Sequence, residues 1–229
     1  MTDLVVGGSA PYPSVIFFQQ PGQTFTPRLL AESLKQLADD ASICVFDANG
    51  DKHPDLYIAR GGMELPKGDK GYADQLFIND GKGNFQIDSA ALPGIYASKS
   101  SVKSADIDGD GDLDLFVGGA VVPGEYPAPE SGYLLRNDSK NGSSRFTLVK
   151  NELAPELTKI GLISDAVWVD YDNDRDPDLI LTGKWMGIHL FKNENGKLKL
   201  QQNSLDEETG WWNVITAVDI DKDGDLDFV

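Results

Sequence analysis

The stretch Asp106-Ile-Asp108-Gly-Asp110-Gly-Asp112-Leu-Asp114, running on into Leu115-Phe-Val-Gly-Gly119, decides how the rest of the chain is read. Five carboxylates alternate with small or apolar residues, and a short apolar run of strand length follows at once. At ~4 Å separation a like-charge pair costs roughly 1–4 kcal/mol at effective dielectrics of about 80 to 20, so the loop asks for a cation among its oxygens.

The pattern is written three more times: Asp47-Ala-Asn49-Gly-Asp51-Lys-His53-Pro-Asp55, Asp170-Tyr-Asp172-Asn-Asp174-Arg-Asp176-Pro-Asp178 and Asp219-Ile-Asp221-Lys-Asp223-Gly-Asp225-Leu-Asp227. Side chains at positions one, three, five and nine, with a backbone carbonyl at seven, form an oxygen-only set. Such a set suits Ca2+ and its flexible coordination; Mg2+, which demands a near-ideal octahedron, fits less well. The expectation is up to four ions, with His53 offering its carbonyl. No cluster of His or Cys accompanies the loops, so zinc and copper lack their preferred ligands. Position six is Gly111 and Gly224 but Lys52 and Arg175 in the other two loops. A positive φ there would strain those two side chains by about 1 kcal/mol. Asn49 also brings less charge, so loops two and four rank first, three next and one last.

An EF-hand would need a bidentate Glu at position twelve and helical flanks. Position twelve is Ile58, Val117 and Leu181, and the flanks Leu56-Tyr-Ile58, Leu115-Phe-Val117 and Leu179-Ile-Leu181 read as strands. The EF-hand is excluded.

The net charge of −17 is local. The four loops hold 18 of the Asp residues and three basic ones, a net −15, which leaves −2 for the other residues. No basic stripe supports nucleic-acid binding. No apolar run approaches a membrane span, and Met1-Thr-Asp-Leu-Val-Val lacks a secretory leader's basic and apolar regions. The single cysteine, Cys44, lies in an apolar run and is expected to be a small buried hydrophobe.

Repetition sets the organisation. Each loop leads into a strand ending in small residues, as in Asp55–Gly62 and Asp114–Gly119. A third strand follows (Gln75-Leu-Phe-Ile-Asn-Asp80, Tyr133-Leu-Leu-Arg-Asn-Asp138, His189-Leu-Phe-Lys-Asn-Glu194), then a polar turn and a fourth strand (Phe85–Ile87, Phe146–Val149, Leu198–Leu200). The expected unit has four short strands with the acidic loop between the first and second. Its boundaries are a tail over 1–40, units over 41–97, 98–160 and 161–209, and a further start over 210–229. Asp3-Leu-Val-Val-Gly-Gly8 matches Asp114-Leu-Phe-Val-Gly-Gly119, so the chain is expected to cover part of a longer repeat protein. Any export signal would then lie outside it. Pro27–Asp40 carries Leu30, Leu34 and Leu37 at helical spacing, the pattern of a short connector helix. Sheets of this kind must cover their faces against neighbours. The expected fold is all-β, a β-propeller of four-stranded blades with loop tips on one rim and Ile107, Leu113, Ile220 and Leu226 turned to the core.

The D-x-D-x-D-G-x-x-D motif followed by D-L-h-V-G-G resembles the FG-GAP/VCBS-repeat propellers, whose cation loops are similar to those of integrin α-subunit heads. The likeness spans the whole chain. Segments such as Asp165-Ala-Val-Trp-Val-Asp170, Val121-Val-Pro-Gly-Glu-Tyr-Pro127 and Gly210-Trp-Trp-Asn213 are similar to bacterial VCBS-repeat proteins that often continue into an ASPIC/UnbV domain. The resemblance implies a secreted or surface-exposed, calcium-stabilised module for adhesion or ligand contact, packed against further blades of its parent, with a protein or carbohydrate ligand.

The leading expectation is a non-catalytic binding module. The alternatives are a lectin-like propeller or part of a propeller polysaccharide lyase or hydrolase. The sequence has no GxSxG, HExxH or phosphate-binding glycine loop, and His53 and His189 lie far apart. Tyr126, Trp185, Trp211 and Trp212 could contact a sugar if exposed, but their strand-adjacent positions point to packing between sheets. Asn137-Asp-Ser139 and Asn141-Gly-Ser143 match the N-glycosylation sequon in a turn expected to be exposed; turn chemistry accounts for both.

Overall fold

The structure, a computed structural model, describes residues 2–30, 36–149 and 153–229. Within them there are strands and two single 3-10 turns, Lys70–Tyr72 and Pro155–Leu157, but no α-helix. The chain is all-β and forms five antiparallel sheets in sequence.

The first sheet holds β1 (Leu4–Val6), β2 (Val15–Gln20) and β3 (Thr24–Leu29). The second is a meander of β4 (Asp39–Phe46), β5 (Asp55–Gly61), β6 (Gln75–Asn79) and β7 (Phe85–Ile87). The third repeats it with β8 (Lys99–Ala105), β9 (Asp114–Gly119), β10 (Tyr133–Asn137) and β11 (Phe146–Leu148). The fourth comprises β12 (Leu162–Val169), β13 (Asp178–Met186), β14 (His189–Asn193) and β15 (Leu198–Gln201), with β16 (Gly210–Trp211) added beside β13. The fifth pairs β17 (Ala217–Val218) with β18 (Asp227–Phe228). Each acidic loop joins the first and second strands of its sheet, as the repeat pattern requires.

The second strands read as unbroken apolar runs because both of their faces are covered. Alternate side chains point to opposite neighbours. Leu56 and Ile58 pack toward the first sheet, while Tyr57 and Ala59 pack toward the third. Leu115 and Val117 face the second sheet and Phe116 faces the fourth. Leu179 and Leu181 face the third sheet, and Ile180 faces the fifth. Burying one such side chain is worth about 1.5–3 kcal/mol, so these alternating contacts hold consecutive sheets face to face.

First strands are more polar, and they lie beside one another. Ser42 Oγ accepts the Val102 N–H at 3.2 Å, and the Lys103 ammonium pairs with Asp165 at 2.9 Å. Each first strand carries a register shift at the same place, between Asp40 and Ser42, Lys99 and Ser101, and Ile163 and Asp165. Glycines let sheets converge there. A Cβ on Gly61 would overlap the Lys99 carbonyl, and one on Gly118 would stand 2.9 Å from Ile163 Cγ2.

Several expectations need correction. Pro27–Leu29 belongs to β3, in register with Val15–Phe17, and Asp39–Asp40 opens β4. Strand pairing claims both ends of the expected connector helix; its middle, 31–35, lies outside the described residues. Cys44 is half-buried, its thiol 3.5 Å from Ser104 Oγ and pushed up by burial. Ile107 is buried and Leu113 packs on the core, but Ile220 and Leu226 are exposed. Their two-stranded sheet has no neighbour on that side among the described residues. Asn137 is buried, contrary to the exposed turn expected for it, so only Asn141 of the two sequons is exposed.

A buried charge network unannounced by the sequence ties the first three sheets together. The Lys99 ammonium, fully buried, pairs with Asp74 at 3.0 Å and donates to the carbonyls of Tyr72 and Ile95. Asp74 also accepts from Tyr57 Oη at 2.7 Å and from the Arg60 N–H at 2.8 Å. Arg60 reaches Asp40, whose carboxylate takes the Gly8 N–H and the Ser14 hydroxyl in the first sheet. Burial pushes the Asp74 carboxyl up and the Lys99 ammonium down, each opposed by the other's charge. Removing one member of such a pair strands a buried charge. Lys99→Met is therefore expected to cost about 3–5 kcal/mol in urea unfolding. Asp74→Asn added to it should cost less than the sum of the two single changes; strict additivity would show the pair to be uncoupled.

Candidate metal centres

The loops are built from backbone N–H groups folding onto acidic side chains. The position-one carboxylate closes the turn: Asp106 accepts from the N–H of Gly109 at 2.9 Å and of Gly111 at 3.0 Å. Asp170 accepts from Asp174 and Arg175, and Asp47 from Gly50 and Lys52. Closing this tightly forces positions four and six into the left-handed region. Position four holds Gly50, Gly109, Asn173 and Lys222; position six holds Lys52 (φ 69°), Gly111 (φ 96°), Arg175 (φ 78°) and Gly224 (φ 98°). Lys52 and Arg175 thus take the conformation that their glycine counterparts adopt without strain.

In loops two, three and four the carboxylates at positions one, three and nine converge. Asp106, Asp108 and Asp114 can each turn one oxygen to within 4.8 Å of the others, as can Asp170, Asp172 and Asp178, and Asp219, Asp221 and Asp227. Positions five and seven fall outside these groups. Asp110, Asp174 and Asp223 accept the N–H of Asp112, Asp176 and Asp225 at 2.9–3.0 Å, and Asp51 accepts that of His53 at 2.8 Å. In loop one Asn49 is buried; its amide donates to Asp51 at 3.1 Å and its oxygen accepts the Asp51 N–H. Asp47 and Asp55 stand there with an amide in place of a third carboxylate.

Electrostatics favours a cation in the convergent groups. Burial pushes the Asp114 carboxyl up to about 6, against hydrogen bonds from Asn137 and Ile107 and with added repulsion from Asp108 and Asp110. Asp108 is raised by burial and then by the charges of Asp110 and Asp106. Asp219 Oδ1 is buried without a hydrogen-bond partner. Orphaned oxygen, crowded carboxylates and an all-oxygen donor set match a hard divalent ion. The loop-three group contains a cation of its own: the Lys192 ammonium, reaching from β14, pairs with Asp172 and stands 3.0 Å from Asp174. Those two contacts raise the Lys192 pKa.

The position-nine aspartate is the hub. Asp55, Asp114 and Asp178 are buried. One oxygen of each accepts the N–H of position two, from Ala48 at 2.9 Å, Ile107 at 3.0 Å and Tyr171 at 3.2 Å. The other accepts the N–H of an asparagine ending the third strand, at 2.8 Å for Asn79, 2.7 Å for Asn137 and 2.8 Å for Asn193. Two of those asparagines do a second job that reasoning from sequence missed. Asn137 donates through Nδ2 to the Ala48 carbonyl at 3.2 Å, and Asn193 to the Ile107 carbonyl at 2.8 Å. Each reaches the acidic loop of the preceding sheet. The signal was present, since the third strands of the second, third and fourth sheets run into Asn-Asp or Asn-Glu.

Two outcomes test this geometry. Asn193→Ala should leave the Ile107 carbonyl unpaired and cost about 1–3 kcal/mol in denaturant unfolding, whereas exposed Gln86→Ala should stay within about 0.5 kcal/mol. Lys192→Met should strengthen calcium uptake by one site in titration calorimetry; an unchanged isotherm would show that the ammonium does not compete for loop three.

The FG-GAP-like repeat family model matches residues 66–117 and 170–229, stretches that contain loops two, three and four. No curated protein sequence is matched. Of the solved structures, 27 chains match. One concerns specific recognition of non-reducing terminal N-acetylglucosamine by a lectin of Agrocybe aegerita. It is 17% identical at a TM-score of 0.58, the match covering 99% of this chain and 59% of that one. At that identity the likeness speaks for the fold. With its acidic loops, strand-end glycines and stacked four-stranded sheets, the chain is an FG-GAP-repeat protein.

Proposed function

We propose that this chain is part of a calcium-stabilised β-propeller that serves as a non-catalytic binding or adhesion module outside the cytoplasm. The observation that carries the reading is the convergence of three acidic side chains at equivalent corners of successive sheets. Asp106, Asp108 and Asp114 would hold one ion, Asp170, Asp172 and Asp178 a second, and Asp219, Asp221 and Asp227 a third, with Asp47, Asn49 and Asp55 the weakest set. An ion there neutralises the loop and rigidifies the corner between first and second strands, so binding energy becomes folding energy. The sequential stacking of sheets with first strands side by side supports a radial arrangement continued by further blades.

Extracellular calcium modules bind at around 10⁻⁴ to 10⁻³ M, a range that external calcium can fill and resting cytosolic calcium cannot. That argument favours a secreted or surface location. No helix among the described residues is long and apolar enough to cross a membrane.

A lectin-like role is the second reading. It is favoured by exposed aromatic side chains at Tyr126, Trp185, Trp211 and Trp212, and the N-acetylglucosamine-recognising lectin of similar fold is compatible with it. Thermal unfolding tests the calcium proposal. EGTA should lower the midpoint, and calcium should restore it better than equimolar magnesium. Saturation at about 100 times the dissociation constant is worth ~2.7 kcal/mol per site. An identical melt with and without EGTA would refute it.

A further inference from the structure

At the end of the sheets away from the acidic loops, three aromatic side chains meet where the third and fourth sheets adjoin. Trp185 lies near the C-terminal end of β13, Trp211 in the added strand β16, and Tyr126 in the connection between β9 and β10. They are 62%, 51% and 57% exposed, so the packed arrangement expected for them is overturned. The two indoles stand edge to face, with ring centres 5.1 Å apart at 73°. Trp185 Nε1 donates to Tyr126 Oη at 3.0 Å, leaving the phenol proton to donate outward. The Lys184 ammonium lies 5.1 Å from the centre of the Trp211 ring.

The backbone is bent to make this display. Strand β13 pairs with β16 through Lys184–Trp211 and Met186–Gly210, with a register shift between them. Trp185 occupies that irregularity at φ 60°, a left-handed conformation that costs a bulky residue about 1–3 kcal/mol. Bulges re-aim side chains, and this one turns a large apolar ring to solvent. Neither core packing nor the metal loops call for it.

Beside Tyr126 and Trp185 lies a cleft of about 480 Å³, bordered by those two rings and by Pro127, Pro129, Leu162 and Lys184, with Trp211 packed edge to face on Trp185. It adjoins a second of about 310 Å³ that shares Tyr126, Leu162 and Lys184 and adds the polar groups of Ser100, Ser164 and Asn213. We propose that this notch binds a pyranose sugar, one apolar C–H face of the ring lying on an indole and its hydroxyls meeting Tyr126 Oη and Lys184 Nζ.

Size and chemistry choose that occupant. Concave sites of roughly 300–1,000 Å³ with apolar walls and a few converging polar groups take small ligands. A stable protein interface needs about 800 Å² on each partner, far more than three side chains provide. A purely apolar ligand would leave the Tyr126 and Lys184 donors unused, and a purely ionic one would ignore the indoles. A sugar answers both. The site lies between the four-stranded third sheet and the five-stranded fourth sheet, which are already packed together.

The inference deepens the binding-module reading and rests on it. The test is saturation-transfer NMR on the full chain in calcium, with the methyl glycosides of glucose, galactose, N-acetylglucosamine and glucuronic acid as probes. Ring protons of at least one glycoside should receive saturation. Trp185→Ala and Trp211→Phe should each weaken that ligand, Trp185→Ala by about tenfold or more. Tyr126→Phe should weaken it less, and Tyr12→Ala, on the first sheet, should leave it unchanged. Absence of transfer from all four glycosides overturns the proposal, as does binding indifferent to both indole variants. Sedimentation showing a Trp185-dependent dimer would also overturn it, because a second copy would then occupy the notch. The calcium-dependent melt separates the two readings: sugars failing while that melt persists would sink the notch alone.

Discussion

The buried carboxylate that ends each of the first three acidic loops is the constraint on which the rest of the structure leans. Asp55, Asp114 and Asp178 sit at the first residue of a central strand, with one oxygen on the loop's own backbone and the other on the asparagine closing the third strand. A carboxylate in that place costs desolvation, and its backbone donors offset part of the cost. In loops two and three an oxygen of this aspartate comes within 4.8 Å of carboxylate oxygens at positions one and three, where charge is crowded enough to favour an ion. One residue type at one position thus sets loop shape, strand register and donor geometry together.

The asparagine that satisfies this carboxylate carries the constraint onward. Through Nδ2, Asn137 and Asn193 hold the loops of the sheets before them. A cation held in one loop would therefore stiffen the carbonyl on which the next sheet is docked, and sheet-to-sheet contact would in turn hold the loop ready. Nearest-neighbour coupling of this kind is what gives repeat architectures their cooperativity. At the converging ends of the sheets a different device acts. Asp40, Arg60, Asp74 and Lys99 form ion pairs that link the second sheet to the third, and Asp40 also takes the Gly8 N–H and the Ser14 hydroxyl beside the first sheet.

The molecule is chemically polarised. Its excess negative charge lies in the loops at one end of the strands, while exposed aromatic rings and Lys184 mark the other. Ions held by the loops and a ligand held by the proposed notch would thereby be separated along the strand direction, and the ions would act on the far end only through the rigidity of the sheets.

Much of this was legible in the residues. Alternating carboxylates marked the loops, unbroken apolar runs marked the doubly covered second strands, and repetition placed four strands in each unit, because these features follow from local sterics, strand periodicity and Coulomb repulsion. Local pattern could not say which loop side chains converge: position five looks identical to one, three and nine until turn closure directs its carboxylate to the backbone N–H of position seven. Nor could it show that Lys192 enters loop three, that Asn137 is buried, or that Trp185, Trp211 and Tyr126 meet in the open. Those facts depend on contacts between residues tens of positions apart. Only the stacking of sheets decides which side chains a neighbour covers and which it leaves to solvent.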